Sequence, residues 1–363
     1  MLIAAQSGRI LAGAARRAGY APLVADLFND EDTEALSARS VRVPGGLSRT
    51  PASRRWLRAL ETLSAGMEPI GLAYSGIEDR PDVLEIAAER YGVLGNGAAV
   101  VRRVKDPYQL ASLCRACAVP HPEIGRTPGD GAWVEKRAGA AGGGHIRPAR
   151  PGRVRPPRYV QRRVAGEPVS ALFLADGRGN ARVLGFTAQW AVPSPGHPFS
   201  WGGAVRPAPL DPALAAAMTA AVERLAAAAS LVGLNGADFL VRADGFDLLE
   251  INPRPSASMD VFPDPGGDLF RWHVELCRGG HLPHTPAPPA RAHALAMAYT
   301  RRRVVLDVGF EWPGWASDRQ RPGVPVEAGA PLCGARAESE TPEEARALAI
   351  ERAEAILAKA GGA

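Results

Sequence analysis

Asp238-Phe239-Leu240-Val241-Arg242-Ala243-Asp244-Gly245-Phe246-Asp247-Leu248-Leu249-Glu250-Ile251-Asn252-Pro253-Arg254-Pro255 reads as two short apolar strands around Ala-Asp-Gly, a strong local hairpin signal. Side chains two apart share a strand face, so Glu250 and Asn252 point together. A three-residue loop over 243–245, with Gly245 left-handed, sets Arg242 opposite Phe246 and Asp238 opposite Glu250. Three oxygen donors then converge on one sheet face. Carboxylate and amide oxygens suit a hard cation such as Mg²⁺, which keeps several waters and bridges substrate phosphates. On these residues alone, an edge hairpin with solvated acids fits as well.

The surrounding chain narrows the choice. Its 363 residues are enough for two or three domains, and 46% hydrophobic with 22% charged residues describes an ordinary globular composition. The net charge of +5 suits phosphate-bearing ligands, while sparse aromatics and dispersed basic residues argue against a nucleic-acid platform. No apolar run is long enough to span a bilayer, and no signal peptide is visible. Four cysteines fit a reducing cytoplasm, and the lone Cys114-x-x-Cys117 lacks the second ligand pair of a zinc site.

Upstream, residues 2–6, 10–19 and 21–28 read as strand, helix and strand, with further strands at 69–74 and 92–96 around a helix from Pro81 to Tyr91. Residues 1–97 therefore form one α/β domain with parallel strands and right-handed crossovers. Its candidate ligand wall is Ser75 to Glu78, beyond a strand's carboxyl end. The segment from Arg102 through Lys105 is expected to begin a helix running to about Ala118. A strand over 132–137 carries Lys136 into Ala138-Gly139-Ala140-Ala141-Gly142-Gly143-Gly144-His145-Ile146. Glycines this dense let backbone N–H groups approach phosphate oxygens, and a lysine on the entering strand adds a point charge. It is no P-loop, and a flexible turn accounts for the glycines equally.

Between Arg147 and Arg163 lie seven arginines and four prolines, a pattern of basic loop rather than regular structure. A strand from Tyr159 to Val164, a turn at Ala165-Gly166 and a second strand follow, with Glu167 placed to accept hydrogen bonds from a ribose. Residues 193–203, with His197, Phe199, Trp201, Gly202 and Gly203, resemble a substrate lid. Asp211-Pro212 caps a long helix with a buried stripe at Leu214, Met218, Ala221, Val222 and Leu225. Beyond Pro286, a Pro/Ala linker leads to a mostly β segment and a closing helix capped at Thr341.

The order Lys105, Lys136 with its glycine-rich loop, Gln161 to Glu167, Asp238, then Glu250-Ile251-Asn252-Pro253-Arg254 resembles the ATP-grasp superfamily of ATP-dependent carboxylate ligases. The resemblance implies an ATP-grasp fold, α/β with α+β subdomains: a Rossmann-like preceding domain over 1–97, an N-terminal subdomain over 98–163, a C-terminal subdomain over 164–285, and a small mostly β appendage over 286–363. By the family's pattern, Lys105 and Lys136 would contact ATP phosphates, and the loop including Gly142, Gly143 and Gly144 would close over them. Gln161, with Arg162 and Val164, would sit at the adenine hinge, and Glu167 would hold the ribose. Asp238, Glu250 and Asn252 would carry Mg²⁺, or Mn²⁺ in its place, and Arg254 would stabilise an acyl phosphate. The chain departs from many relatives in Lys136-Arg137, where they have Lys-Pro, and in Gln161, where they have an acid.

Phe199-Ser200-Trp201-Gly202-Gly203-Ala204 and Asn252-Pro253-Arg254-Pro255-Ser256 are similar to the branch with tyramine-glutamate ligases and C1-cofactor proteins of methylotrophs. That similarity implies His197, Trp201, Gly203 and Ser256 as substrate-facing, and small-molecule carboxylate and amine substrates, glutamate first. Composition, cysteine count and hydropathy point to a cytoplasmic protein without nucleic-acid or membrane partners, with a homodimer left open.

Overall fold

The computed structural model describes residues 1–46, 50–193, 197–284 and 289–362. Four parallel strands open the chain in the order Arg39–Arg42, Leu23–Asp26, Leu2–Ala5, Leu72–Ser75. The two central strands are buried throughout, as expected when helices cover both sheet faces. Arg9–Arg17 crosses from the first strand to the second, and Ser53–Ser64 and Pro81–Arg90 complete the cover. The return of residues 92–96 to the sheet is reduced to one parallel bridge, Leu72 to Val93.

The helix expected from Arg102 to Ala118 is two helices, Ala98–Lys105 and Pro107–Ala116. Pro107 has no N–H to continue the first helix, and it forces Asp106 into an extended conformation. The Asp106 carboxylate then caps the second helix through the N–H groups of Tyr108 and Gln109, both at 2.9 Å. A small antiparallel sheet follows, in the order Ile124–Gly125, Arg158–Arg162, Trp133–Arg137, Arg147–Pro148. Arg147–Pro148, expected as loop, is thus strand, while Arg158–Arg162 is the strand expected from Tyr159 ahead of the turn at Ala165-Gly166. Arg147 and Arg158 both pair with Glu135 there, which spends two of its charges inside the fold.

The main sheet has eight antiparallel strands: Gly245–Asn252, Val232–Arg242, Glu167–Asp176, Ala181–Ala191, Trp201–Arg206, Ala292–Tyr299, Pro331–Ser339 and Ala316–Ser317. Glu167–Asp176 shows why it sits at the centre. Ala171, Phe173 and Ala175 join the core under helix Pro212–Ala229, while Leu172 and Leu174 face helix Asp268–Cys277 and the first domain. Residues beyond 289 add their strands to the edge at Trp201–Arg206, and helix Pro342–Lys359 packs on them. Within this segment, expected to be mostly β, residues 304–308 contribute only the two-residue strand Val304–Val305. Among the described residues no helix is long and apolar enough to cross a membrane, and all four cysteines are free.

The turn at Asp318 ties this last segment to the first domain. Asp318 and Arg319 donate their backbone N–H groups to Asp32, and Ser7 and Arg9 donate to the Asp318 carboxylate. Asp30 lies 1% exposed beside them, capping helix Glu31–Leu36 through Thr33 N at 2.8 Å. Burial, then the charges of Asp318 and Asp32, push its carboxyl up to about 8. A carboxyl raised in the folded state holds its proton there, so stability is greatest below the unfolded value of about 4 and falls as pH rises towards 8. Asp30→Asn keeps a good cap without the charge. The variant is expected to melt above the wild type at pH 8 and close to it at pH 4, in thermal scans by circular dichroism.

Candidate functional site

The hairpin closes with two residues rather than three. Arg242 pairs with Gly245 and Val241 with Phe246, so the expected Arg242–Phe246 pair does not form. The Arg242 guanidinium ties this turn to Asp244 and Asp247. A bulge at Leu249 then shifts the ladder by one, and Asp238 pairs with Glu250 after all. At this irregularity Leu248 donates its N–H to Pro120 O at 2.9 Å, which anchors the strand to the loop after helix Pro107–Ala116. Two departures cancel, and the acids share one rung.

Asn252 Nδ2 donates to Asp238 Oδ2 at 2.8 Å, while its Oδ1 accepts from Lys105 Nζ at 2.7 Å and from Arg254 at 3.4 Å. Lys105 Nζ is also 3.7 Å from Glu250 Oε2. Arg254 in turn pairs with buried Glu78, and Tyr74 and Ser75 bond the Pro253 and Pro255 carbonyls at 3.1 and 3.0 Å. The carboxyl end of the first domain's edge strand thereby supports the Asn252–Arg254 segment.

Burial first, and the Glu250 charge second, push the Asp238 carboxyl up to about 6. Burial also acts to raise Glu250, but Lys105, Lys136, His145 and Arg254 outweigh it and hold that carboxyl well below the usual range. Two carboxylates crowded together with an amide oxygen are a hard donor set that favours added positive charge. They fit Mg²⁺ in chemistry.

Lys136 enters the same space from the small sheet. Its Nζ donates to Gln161 Oε1 at 3.2 Å, and Gln161 is 2% exposed. Residues 138–146 form the loop between Trp133–Arg137 and Arg147–Pro148. At Gly139 an added Cβ would stand 3.1 Å from Asp79, and at Gly143, with φ +75°, 1.9 Å from the Phe199 carbonyl oxygen. Gly142 O accepts from Trp201 N at 3.1 Å, and the His197 ring Nδ1 donates to Gly144 O at 2.7 Å. The glycine-rich loop and the described part of the 193–203 segment therefore touch, the glycines being what lets the backbones meet. Residues 194–196 lie outside the described residues.

Other expected residues stand apart. Arg162 turns outward to Glu123 at 3.6 Å, and Val164 is half-buried in the turn beyond it. Glu167 is exposed at its strand's start, opposite Val241. Ser256 Oγ and Ser258 Oγ bond each other at 2.7 Å. Gly203 packs under Trp190, where a Cβ would meet its ring at 2.3 Å, so no side chain fits there.

Two site residues carry more than the sequence assigned them. Glu78 was the end of the candidate wall, and its signal was an acid three residues beyond a largely buried strand. His145 projects from the glycine-rich loop, where burial lowers its pKa to about 4 against the opposing pull of Glu250, helped by Lys136 and Lys105. Its Nδ1 is buried without a hydrogen-bond partner among the described residues.

Comparison with known proteins bears on the fold. A family model described as an ATP-grasp domain matches residues 104–258. No curated protein matches the chain. Among solved structures, an L-amino acid ligase from Bacillus licheniformis superposes with a TM-score of 0.70 at 13% identity, covering 97% of this chain and 96% of that one. Biotin carboxylase from Campylobacter jejuni, solved as a β-γ-ATP complex, gives 0.68 at 15% identity over 97% and 91%. N5-carboxyaminoimidazole ribonucleotide synthetase from Thermotoga maritima gives 0.67 at 12% over 99% and 97%. At such identities the likeness shows the fold, which is the ATP-grasp fold.

Proposed function

We propose, from the ATP-grasp domain that residues 104–258 form, that the protein is an ATP- and Mg²⁺-dependent ligase that joins a carboxylate to an amine through an acyl phosphate. The observation that carries this reading is the convergence of Asp238, Glu250 and Asn252 with Lys105, Lys136 and Arg254 beneath a glycine-rich loop.

A carboxylate is a poor electrophile because its carbon shares electrons with a negative oxygen. Transfer of the ATP γ-phosphoryl group to that oxygen releases ADP and leaves a mixed anhydride. The amine then attacks the acyl carbon, and inorganic phosphate departs as the amide forms. Lys105 and Lys136 neutralise phosphate charge, and the loop at 138–146 places N–H groups around it. Asp238, Glu250 and Asn252 would hold Mg²⁺, which supplies charge neutralisation at the transferring phosphoryl group. Arg254, held by Glu78, offers its guanidinium to the acyl phosphate. The loop's contact with residues 197–201 keeps water from the anhydride.

The narrower reading, glutamate joined to a C1-carrier precursor, rests on the Phe199 to Ala204 and Asn252 to Ser256 similarity and sets the first substrates to try. The test is ADP release by the protein with MgATP against a panel of carboxylates paired with amines, glutamate first, with bicarbonate included as the carboxylase case. Substrate-dependent ADP with matching phosphate supports a ligase. Nucleotide binding with no ADP from any pair would make this a non-catalytic ATP-binding protein.

A further inference from the structure

We propose that Lys105 is a resident counter-ion of the Asp238–Glu250–Asn252 oxygen set, so that a divalent cation binds there only by displacing it. The inference rests on reading those oxygens as the metal site.

Lys105 is the last residue of helix Ala98–Lys105, and its side chain is 7% exposed. Its Nζ stands on the atoms a cation would use, 2.7 Å from Asn252 Oδ1 and 3.7 Å from Glu250 Oε2. The Asn252 amide has one orientation that satisfies its neighbours. Oδ1 must face the two cations, Lys105 and Arg254, and Nδ2 must face the Asp238 carboxylate. The set is therefore internally satisfied, each of its three members already in contact with another polar group.

An arriving divalent cation meets two obstacles. It competes for the same oxygen lone pairs, and it is repelled by an ammonium a few ångströms away in a partly desolvated site. Nucleotide phosphates remove both, because they give Lys105 another acceptor in the same cleft. Metal affinity is then coupled to the nucleotide, and by linkage nucleotide affinity is coupled to the metal. A cofactor-free enzyme built this way does not load metal ahead of its nucleotide.

The experiment is titration of the nucleotide-free protein with Mn²⁺ alone, followed by electron paramagnetic resonance of the free ion. Wild-type protein is expected to bind weakly, and Lys105→Met at least tenfold more tightly, since a full charge is removed a few ångströms from the site. Lys105→Arg keeps the charge and stays weak. Adding Glu250→Gln to Lys105→Met abolishes the gain, which places it on this oxygen set. Should Lys105→Met fail to fold by circular dichroism, Lys105→Gln, which keeps a donor and loses the charge, takes its place with the same expected direction. Equal Mn²⁺ affinity in the wild type and the uncharged variant overturns the proposal, as does an Arg variant that binds as tightly as the Met one. Failure of the ligase reading is separate. It appears as no ADP from the wild type under any substrate pair, whatever the Mn²⁺ titration gives.

Discussion

Glu250→Gln is expected to lower substrate-dependent ADP release by at least about a hundredfold, the scale on which loss of one preorganised charge-stabilising group acts. The replacement is nearly isosteric. Lys105 keeps its 2.7 Å bond to Asn252, and the Asp238–Asn252 bond is untouched, so the hairpin has no reason to unfold. What is lost is one of two anionic oxygen donors, and with it the neutralisation of the transferring phosphoryl group. The effect should fall on kcat with Mg²⁺ saturating, and the thermal midpoint should move little. Turnover within a few-fold of the wild type, in protein shown folded by circular dichroism, would take Glu250 out of the phosphoryl-transfer site.

The second large effect is on stability. Glu78 and Arg254 form a buried pair between the first domain and the segment after the hairpin, with side chains 0% and 9% exposed. Glu78→Ala leaves the guanidinium buried without its partner, a change that costs about 3–5 kcal/mol in comparable pairs. Urea denaturation reads this as a lower midpoint, and Glu78→Gln, which retains an acceptor, should lose less. Burial alone would raise the Glu78 carboxyl, but Arg254 and Lys105 outweigh it and hold it below the usual range. Stability from a depressed carboxyl is fully present above its unfolded value of about 4.3 and is lost as pH falls through the lower folded one. The gap between Glu78→Ala and wild type should therefore narrow below about pH 4. A gap that stays constant down to pH 2 would mean that the pair contributes through packing and not through charge.

Local pattern carried much of the architecture. Burial on both faces made the strands Leu2–Ala5 and Leu23–Asp26 legible as continuous apolar runs, and Asp211-Pro212 marked the start of helix Pro212–Ala229. Pro107 carries the signal for a helix break, and the single helix expected from Arg102 to about Ala118 is two helices that meet at it. Strand Arg147–Pro148 was hidden for the opposite reason, whereas Arg158–Arg162 is the strand expected ahead of the turn at Ala165-Gly166. The arginines and prolines around 147–157 look like loop, and only Glu135 on the neighbouring strand gives the Arg147 and Arg158 charges a partner.

The sequence by itself determined which groups could serve as oxygen donors and cations, and that Glu250 and Asn252 share a face, because strand alternation is a local property of the chain. It also determined that residues 138–146 could approach other backbone closely, because glycine alone removes the Cβ from that contact. Tertiary structure decided the register, through a two-residue turn offset by a bulge that Pro120 holds. It alone brought Glu78 under Arg254 and set Lys105 on the oxygens of Asn252 and Glu250. Those partners are separated by well over a hundred residues, and no periodicity in the chain records which long-range pair will meet.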